Sequence, residues 1–215
     1  MALRKKFNDI EIPLINETVS ILGSPETLPG QTIKLDMTRK MKGKGMEIVL
    51  KIYNQDDKFV AFPRKMHLLK FYIKRMMRKR ASYVEDSFKT ACKDGEIIIK
   101  PFLITRKKVS RAIRKNLRSN TKKLIIEYVS DKKYNELAND ILSGNLQKEI
   151  YPKLKKIYPL SFCDIRVFET KQLDDILASH ENNKEDVEEK QEKKPAEKTS
   201  KKTIKKTTKK TTKKK

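Results

Sequence analysis

Two segments rich in lysine and arginine carry the clearest chemistry in this sequence. Residues 66–80 hold Lys70, Lys74, Arg75, Arg78, Lys79 and Arg80. Residues 106–123 hold Arg106, Lys107, Lys108, Arg111, Arg114, Lys115, Arg118, Lys122 and Lys123. No acid follows either segment before Glu85 and Glu127. A merely solvated helix face mixes signs, whereas cations held at fixed spacing meet phosphates and release their counterions. Arginine strengthens the reading, because a guanidinium forks onto phosphate and stacks on a base. Arg75, Arg78, Arg80, Arg106, Arg111, Arg114 and Arg118 are the leading phosphate ligands, with Lys74, Lys79, Lys107, Lys108 and Lys115 among them. Phe71 and Tyr72 lie between the cations and are candidates to stack on an unpaired base. Core packing is the stronger competing role for both. Lys42 and Lys44 flank Gly43 at a turn that presents them to a groove, although a plain hairpin explains that turn equally well. It is not a phosphate-cradling P-loop, since the spacing and the following Ser/Thr are absent.

Catalysis has little support. His67 and His180 have no nucleophile or carboxylate at motif spacing. Asp56-Asp57 and Asp174-Asp175 read as turn and helix-end residues rather than metal ligands. Cys92 and Cys163 are the only cysteines. Far apart and outside any CxxC, they argue against a disulfide framework or structural zinc and suit strand positions in a core. No cofactor or metal is expected.

The charge extends well beyond the two segments. Formal net charge is +24 on 215 residues. Residues 193–215 contribute +11 and residues 181–192 contribute −4, which leaves +17 on residues 1–180. A folded domain this basic repels itself and is matched to a polyanion. No apolar run reaches membrane-spanning length and no signal peptide opens the chain, so an intracellular protein is expected.

Hydrophobic periodicity supplies the elements that must hold these cations. Strands are expected over residues 12–21, 32–37, 46–53, 58–62, 82–91, 96–105 and 162–168. The Met46, Ile48, Leu50, Ile52 alternation marks one buried face. On the last strand the apolar face is expected to be Cys163, Ile165 and Val167. Lys93-Asp94-Gly95 reads as a tight hairpin turn using a positive φ at Gly95. Helices are expected over 66–80, 106–129, 134–142 (with Gly144 as cap) and 146–156. Residues 1–10 read as a basic arm, 11–177 as the folded domain, and 178–215 as a low-complexity charged tail too polar to order itself.

Several blocks also resemble a known family. Tyr72-Ile73-Lys74-Arg75-Met76-Met77-Arg78-Lys79-Arg80-Ala81-Ser82-Tyr83-Val84-Glu85-Asp86, followed by Lys93-Asp94-Gly95, resembles the central block of the archaeal and eukaryotic small-subunit ribosomal protein S three-Ae family. Ala112-Ile113-Arg114-Lys115 looks like the block after it. Lys155-Lys156-Ile157-Tyr158-Pro159-Leu160 and Asp164-Ile165-Arg166 are similar to its C-terminal signature, and Gly30-Gln31-Thr32-Ile33 to its early strand. The blocks are collinear over residues 10–173. Leu69-Lys70-Phe71 stands where the family carries a Thr-Arg-Asp element, which removes a polar helix cap. The stretch between Ile104 and Ala112 is shorter than the family's.

The resemblance implies an α+β fold, with a β-barrel-like antiparallel core flanked by about four helices. It implies a structural, non-enzymatic constituent of the small ribosomal subunit, ribosome-bound in the cytoplasm. Its place would be the platform, near the 3′ end of the small-subunit rRNA and the mRNA exit, among neighbouring ribosomal proteins and within reach of mRNA. Two other classes stay open from the residues alone: a chromatin or nucleoid DNA-binding protein with a histone-like tail, and an enzyme acting on RNA. A membrane-surface binder is disfavoured, because the basic helices carry apolar faces suited to a core.

Overall fold

The computed structural model describes residues 5–55 and 58–171. The Asp56-Asp57 turn and the tail expected over 178–215 lie outside the described residues. The expected α+β class holds: one nine-stranded sheet and four helices occur among the described residues.

The chain opens with a hairpin, β1 (Lys6–Ile12) and β2 (Glu17–Gly23), paired from Lys6↔Gly23 to Ile12↔Glu17. This corrects the expected basic arm and the strand over 12–21. From Lys6 onward the arm is a strand, because Ile10 and Ile12 alternate into the core at 0 % and 1 % exposure. β3 (Thr32–Asp36) and β4 (Met46–Gln55) pair antiparallel. Met46, Ile48, Leu50 and Ile52 line one buried face as the alternation requires.

β5 (Lys58–Leu68) is longer than expected, and the helix after it is shorter. Met66 and Leu68 face Ile48 and Met46 across the β4 ladder, and both are buried while His67 between them is half-exposed. Cross-strand pairing of two apolar faces therefore overrides the helical spacing over 66–69. α1 spans only Lys70–Met76, and its N-cap Leu69 makes no side-chain capping bond. The missing polar cap expected from the sequence thus coincides with a helix of two turns.

The strand expected over 82–91 is two strands, β6 (Tyr83–Glu85) and β7 (Phe88–Ala91), which pair antiparallel with successive parts of β8 (Glu96–Thr105). Cys92 N–H donates to the Gly95 carbonyl across the β7–β8 turn. Gly95 itself does not take the expected positive φ; the left-handed glycines are Gly30, Gly43 and Gly144. α2 (Arg111–Ser130), α3 (Tyr134–Ser143) and α4 (Asn145–Lys155) follow, then β9 (Leu160–Glu169). Gly144, at φ 77°, ends α3 and starts α4. The strand path is β2-β1-β5-β9-β8-β6, with β3-β4 joining at β5 and β7 at β8. β1 and β5 are parallel, and every other pair is antiparallel.

β9 does not bury the face expected. Asp164 and Phe168 are 6 % and 1 % exposed, whereas Cys163 and Val167 are half-buried. Register shifts against β8 after Lys100 and Ile104 rotate the strand, so neither parity stays inside throughout. Phe162 packs against the cluster of Met46, Leu68, Tyr72, Ile73, Phe102 and Ile104. Burial pushes the Cys163 thiol up to about 12, with the Asp164 charge adding to it, so this cysteine is an inert packing residue.

The helices are tied together by a polar cluster. Lys132 Nζ lies 2.6 Å from the Tyr128 hydroxyl and 2.5 Å from Asp140, which also accepts from Tyr128 at 2.9 Å. Burial works against the Asp140 charge, but bonds from Lys132, Tyr128 and Asn145 outweigh it and hold the carboxyl below its ordinary range. A carboxyl lowered on folding stabilises above its unfolded pKa of about 3.9, and the benefit is lost as pH falls through the folded value. Asp140→Asn is therefore expected to cost ~1.5 kcal/mol at neutral pH. Urea unfolding of the two proteins should converge as pH drops below about 3.9.

Candidate nucleic-acid interface

The two basic segments are far apart in sequence, and backbone bonds stitch them together. Thr105 N–H donates to the Ser82 carbonyl at 2.9 Å, and Ser82 N–H donates to Thr105 Oγ1 at 3.1 Å. Val109 N–H donates to Ser82 Oγ, and Thr105 Oγ1 donates to the Lys107 carbonyl at 2.7 Å. These bonds hold 105–109 out of the helix, which corrects the start expected at Arg106. α2 begins only after Ser110, whose hydroxyl accepts from Ile113 N–H. As a result Arg78 and Arg106 line one cleft of about 440 Å³ together with Tyr151 and Ser161. Arg78, Lys79, Arg80, Arg106, Lys107 and Lys108 are all exposed. Arg80 sits at φ 62°, in the left-handed region, where the chain turns from α1 towards β6.

α2 extends this surface. Leu117, Thr121, Ile125 and Val129 form its buried stripe. Arg111, Lys115, Arg118 and Lys122, spaced four, three and four residues apart, are all exposed. At 1.5 Å per residue that row of charge covers about 16 Å. No acid occupies the first turn of α2, so the positive end of its dipole adds to Arg111 rather than being neutralised.

Other expected ligands have different employment. Lys44 turns inward and contacts both oxygens of Asp164, at 3.0 and 2.8 Å. It is half-buried and engaged in that ion pair, while Lys42 beside it stays exposed. Arg75 donates to the Gly43 carbonyl at 3.1 Å and lies over the Tyr72 ring, which holds the β3–β4 loop against α1. Gly45 makes that approach possible, since a Cβ there would come within 3.0 Å of Phe71 and Tyr72. Arg118 donates through Nε to the Glu85 carbonyl, so its guanidinium is anchored although exposed. Arg114 is half-buried, and its Nε is buried without a hydrogen-bond partner among the described residues. Lys74 is exposed on α1, facing a different cleft from Arg78.

The two aromatic candidates separate. Tyr72 is 8 % exposed and meets Phe162 edge-on, while Phe71 is 56 % exposed. Sequence reasoning missed Tyr83, which is 59 % exposed beside the cations. It also passed over Arg166, although Arg166 stands in a block that carried the family resemblance. His67 lies on β5, 3.8 Å from Glu47, and not on a helix. Among the described residues there is no cluster of three metal-ligating side chains, and no helix long and apolar enough to cross a membrane.

Comparison with known proteins places this architecture. The chain is 32% identical over 95 residues to the small ribosomal subunit protein eS1 of Methanothermobacter thermautotrophicus, covering 44% of this chain and 49% of that one. It is 25% identical over 170 residues to the eS1 of a Saccharolobus islandicus strain, covering 75% and 82%. The eS1 of Haloarcula marismortui is also 25% identical over 170 residues, covering 76% and 79%. The model of the Ribosomal S3Ae family matches residues 4–174, which is every element of the sheet and all four helices, and the chain belongs to that family.

Proposed function

We propose that this chain is a structural component of the small ribosomal subunit that holds small-subunit rRNA on the joined surface of residues 78–82, 105–109 and α2. The carrying observation is that Arg78 and Arg106 converge on one cleft, continuous in sequence with the exposed row Arg111, Lys115, Arg118 and Lys122. Such a surface neutralises phosphates and reads shape; nothing in it positions a nucleophile or a general base. Membership in a family of ribosomal proteins supports the structural role and a ribosome-bound place in the cytoplasm. The finer placement rests on the resemblance of the sequence blocks: the platform, near the rRNA 3′ end and the mRNA exit, against neighbouring small-subunit proteins and close to mRNA.

Sedimentation of cell lysate through sucrose at moderate and high salt, with blotting for this chain, tests the reading. Stoichiometric migration with the small subunit through a high-salt wash is the expected result. Migration with DNA would instead favour a nucleoid protein, the class that the lysine-rich run of residues 193–215 suggests by itself.

A further inference from the structure

We propose that a second cleft, between α1 and β6, seats an unpaired RNA nucleotide, with its base against Tyr83 and Met77 and its phosphate on Lys70 and Lys74. This rests on the RNA-binding reading above and adds a distinct site to it.

Five large hydrophobic side chains are exposed among the described residues, and three of them (Phe71, Met77 and Tyr83) lie on or beside the basic helix α1. Met77 and Tyr83, 43 % and 59 % exposed, line a cleft of about 390 Å³ whose floor includes Ile73. Lys70 and Lys74 stand on the same helix face as Met77, at spacings of four and three residues, and supply one rim. Arg166 supplies another, held at 2.8 Å by Glu85.

The mix of groups selects the ligand. An isolated phosphate is poorly served here, because Ile73, Met77 and Tyr83 line the cleft together with the Glu85 carboxylate, which repels it. A neutral base fits the interior, and its phosphate fits the lysine rim. Two aromatic faces near other cations are already used: Arg75 covers Tyr72 and Lys122 covers Phe88. Among the described residues the Tyr83 ring meets no cation and no second ring. Base-on-aromatic stacking with a cationic rim is how single strands are bound without a sequence code. A duplex keeps its bases stacked and offers none to this cleft.

The test is binding of a labelled oligouridylate to the full chain, compared with an RNA duplex of equal length. Tyr83→Ala is expected to weaken the single strand by about tenfold, while Tyr83→Phe retains it. Lys74→Ala should flatten the salt dependence by about one phosphate contact. Equal single-strand binding by Tyr83→Ala and the parent chain overturns the proposal, as does loss with Tyr83→Phe equal to that with Tyr83→Ala. Photocrosslinking in whole small subunits separates the sources. A crosslink to the Tyr83 peptide in subunits stripped of message assigns the nucleotide to rRNA, and one that appears only on adding message assigns it to mRNA. Either supports the site, and absence of both overturns it. Co-sedimentation of Tyr83→Ala with the subunit keeps this failure distinguishable from failure of the ribosomal reading.

Discussion

Replacing Lys44 with methionine lowers the stability of the folded chain by about 3–5 kcal/mol, the cost of leaving a buried carboxylate without its counterion. The side chains of Lys44 and Asp164 are 17 % and 6 % exposed and lie 2.8 Å apart. Asp164 also accepts from Gln147 Nε2 and from the Ile165 N–H, both at 2.8 Å. One carboxylate thus joins the β3–β4 loop, β9 and α4. Methionine preserves the length of the lysine stem, so the loss reports the charge and not a cavity. Against a total stability of about 5–15 kcal/mol this is a large fraction, and the melting temperature should fall by on the order of 10 °C. Adding Asp164→Asn to Lys44→Met should recover much of the loss. The amide keeps an oxygen for Gln147 and Ile165 while removing the orphaned charge. Urea and thermal unfolding of the four proteins in that cycle measure it. Had Lys44 served as the RNA ligand expected from its turn, Lys44→Met would leave stability unchanged and weaken RNA binding.

That residue shows where sequence reading reaches its limit. Lys42 and Lys44 are identical in type and one residue apart around a glycine, so composition and turn chemistry treat them alike. Only the fold brings Asp164, 120 residues away, beneath one of them. The same holds for Arg75 and Arg114. Both belong to basic runs, yet one secures Gly43 and the other is half-buried. Local patterns were most legible where a single force dominates. β8 falls on residues 96–105 as expected, because its apolar run and flanking turn agree. α3 ends at Gly144 because only a residue at ease with φ 77° fits there. Signals failed where two periods competed. Met66 belongs to a helical pattern and to a strand pattern, and pairing of β5 with β4 decides between them. Asp86-Ser87 breaks one expected strand into β6 and β7, which a single run of residues 82–91 does not announce.

The candidate interface was legible as chemistry and not as geometry. The sequence marks two basic segments and says nothing of their adjacency. Adjacency comes from Ser82 and Thr105, two small hydroxyl residues with no charge. Thr105 is fully buried, and its hydroxyl accepts from Ser82 N–H and gives its one proton to the nearer carbonyl, that of Lys107. Thr105→Val keeps the volume and removes these bonds, leaving the part-buried Ser82 N–H without its partner at about 1 kcal/mol. Because Arg78 and Arg106 depend on that stitch, RNA affinity should fall together with stability, which neither arginine substitution alone would produce.

Charge reversal at Arg78, Arg106 and Arg111 is expected to weaken binding of a small-subunit rRNA fragment by about 100-fold or more, with the fold intact. All three side chains are exposed, and none has a hydrogen-bond or ion-pair partner among the described residues. Arg114 and Arg118 are poorer choices, since glutamate at 114 would be half-buried and glutamate at 118 would lose the anchor to Glu85. Each phosphate contact contributes about 0.7–0.9 to the slope of log K against log salt. The triple variant Arg78→Glu, Arg106→Glu, Arg111→Glu should therefore flatten that slope by roughly two to three. Net charge is a serious rival explanation for a chain at +24. The control is the same charge change at Lys6, Lys34 and Lys58, exposed on β1, β3 and β5. A long-range field responds to total charge and weakens alike for both triples. A docking surface responds to where the cations stand, so the control should lose far less affinity and keep most of the slope. Equal losses in the two variants would mean that the protein holds RNA by charge alone, and the cleft between Arg78 and Arg106 would then have no special part in it.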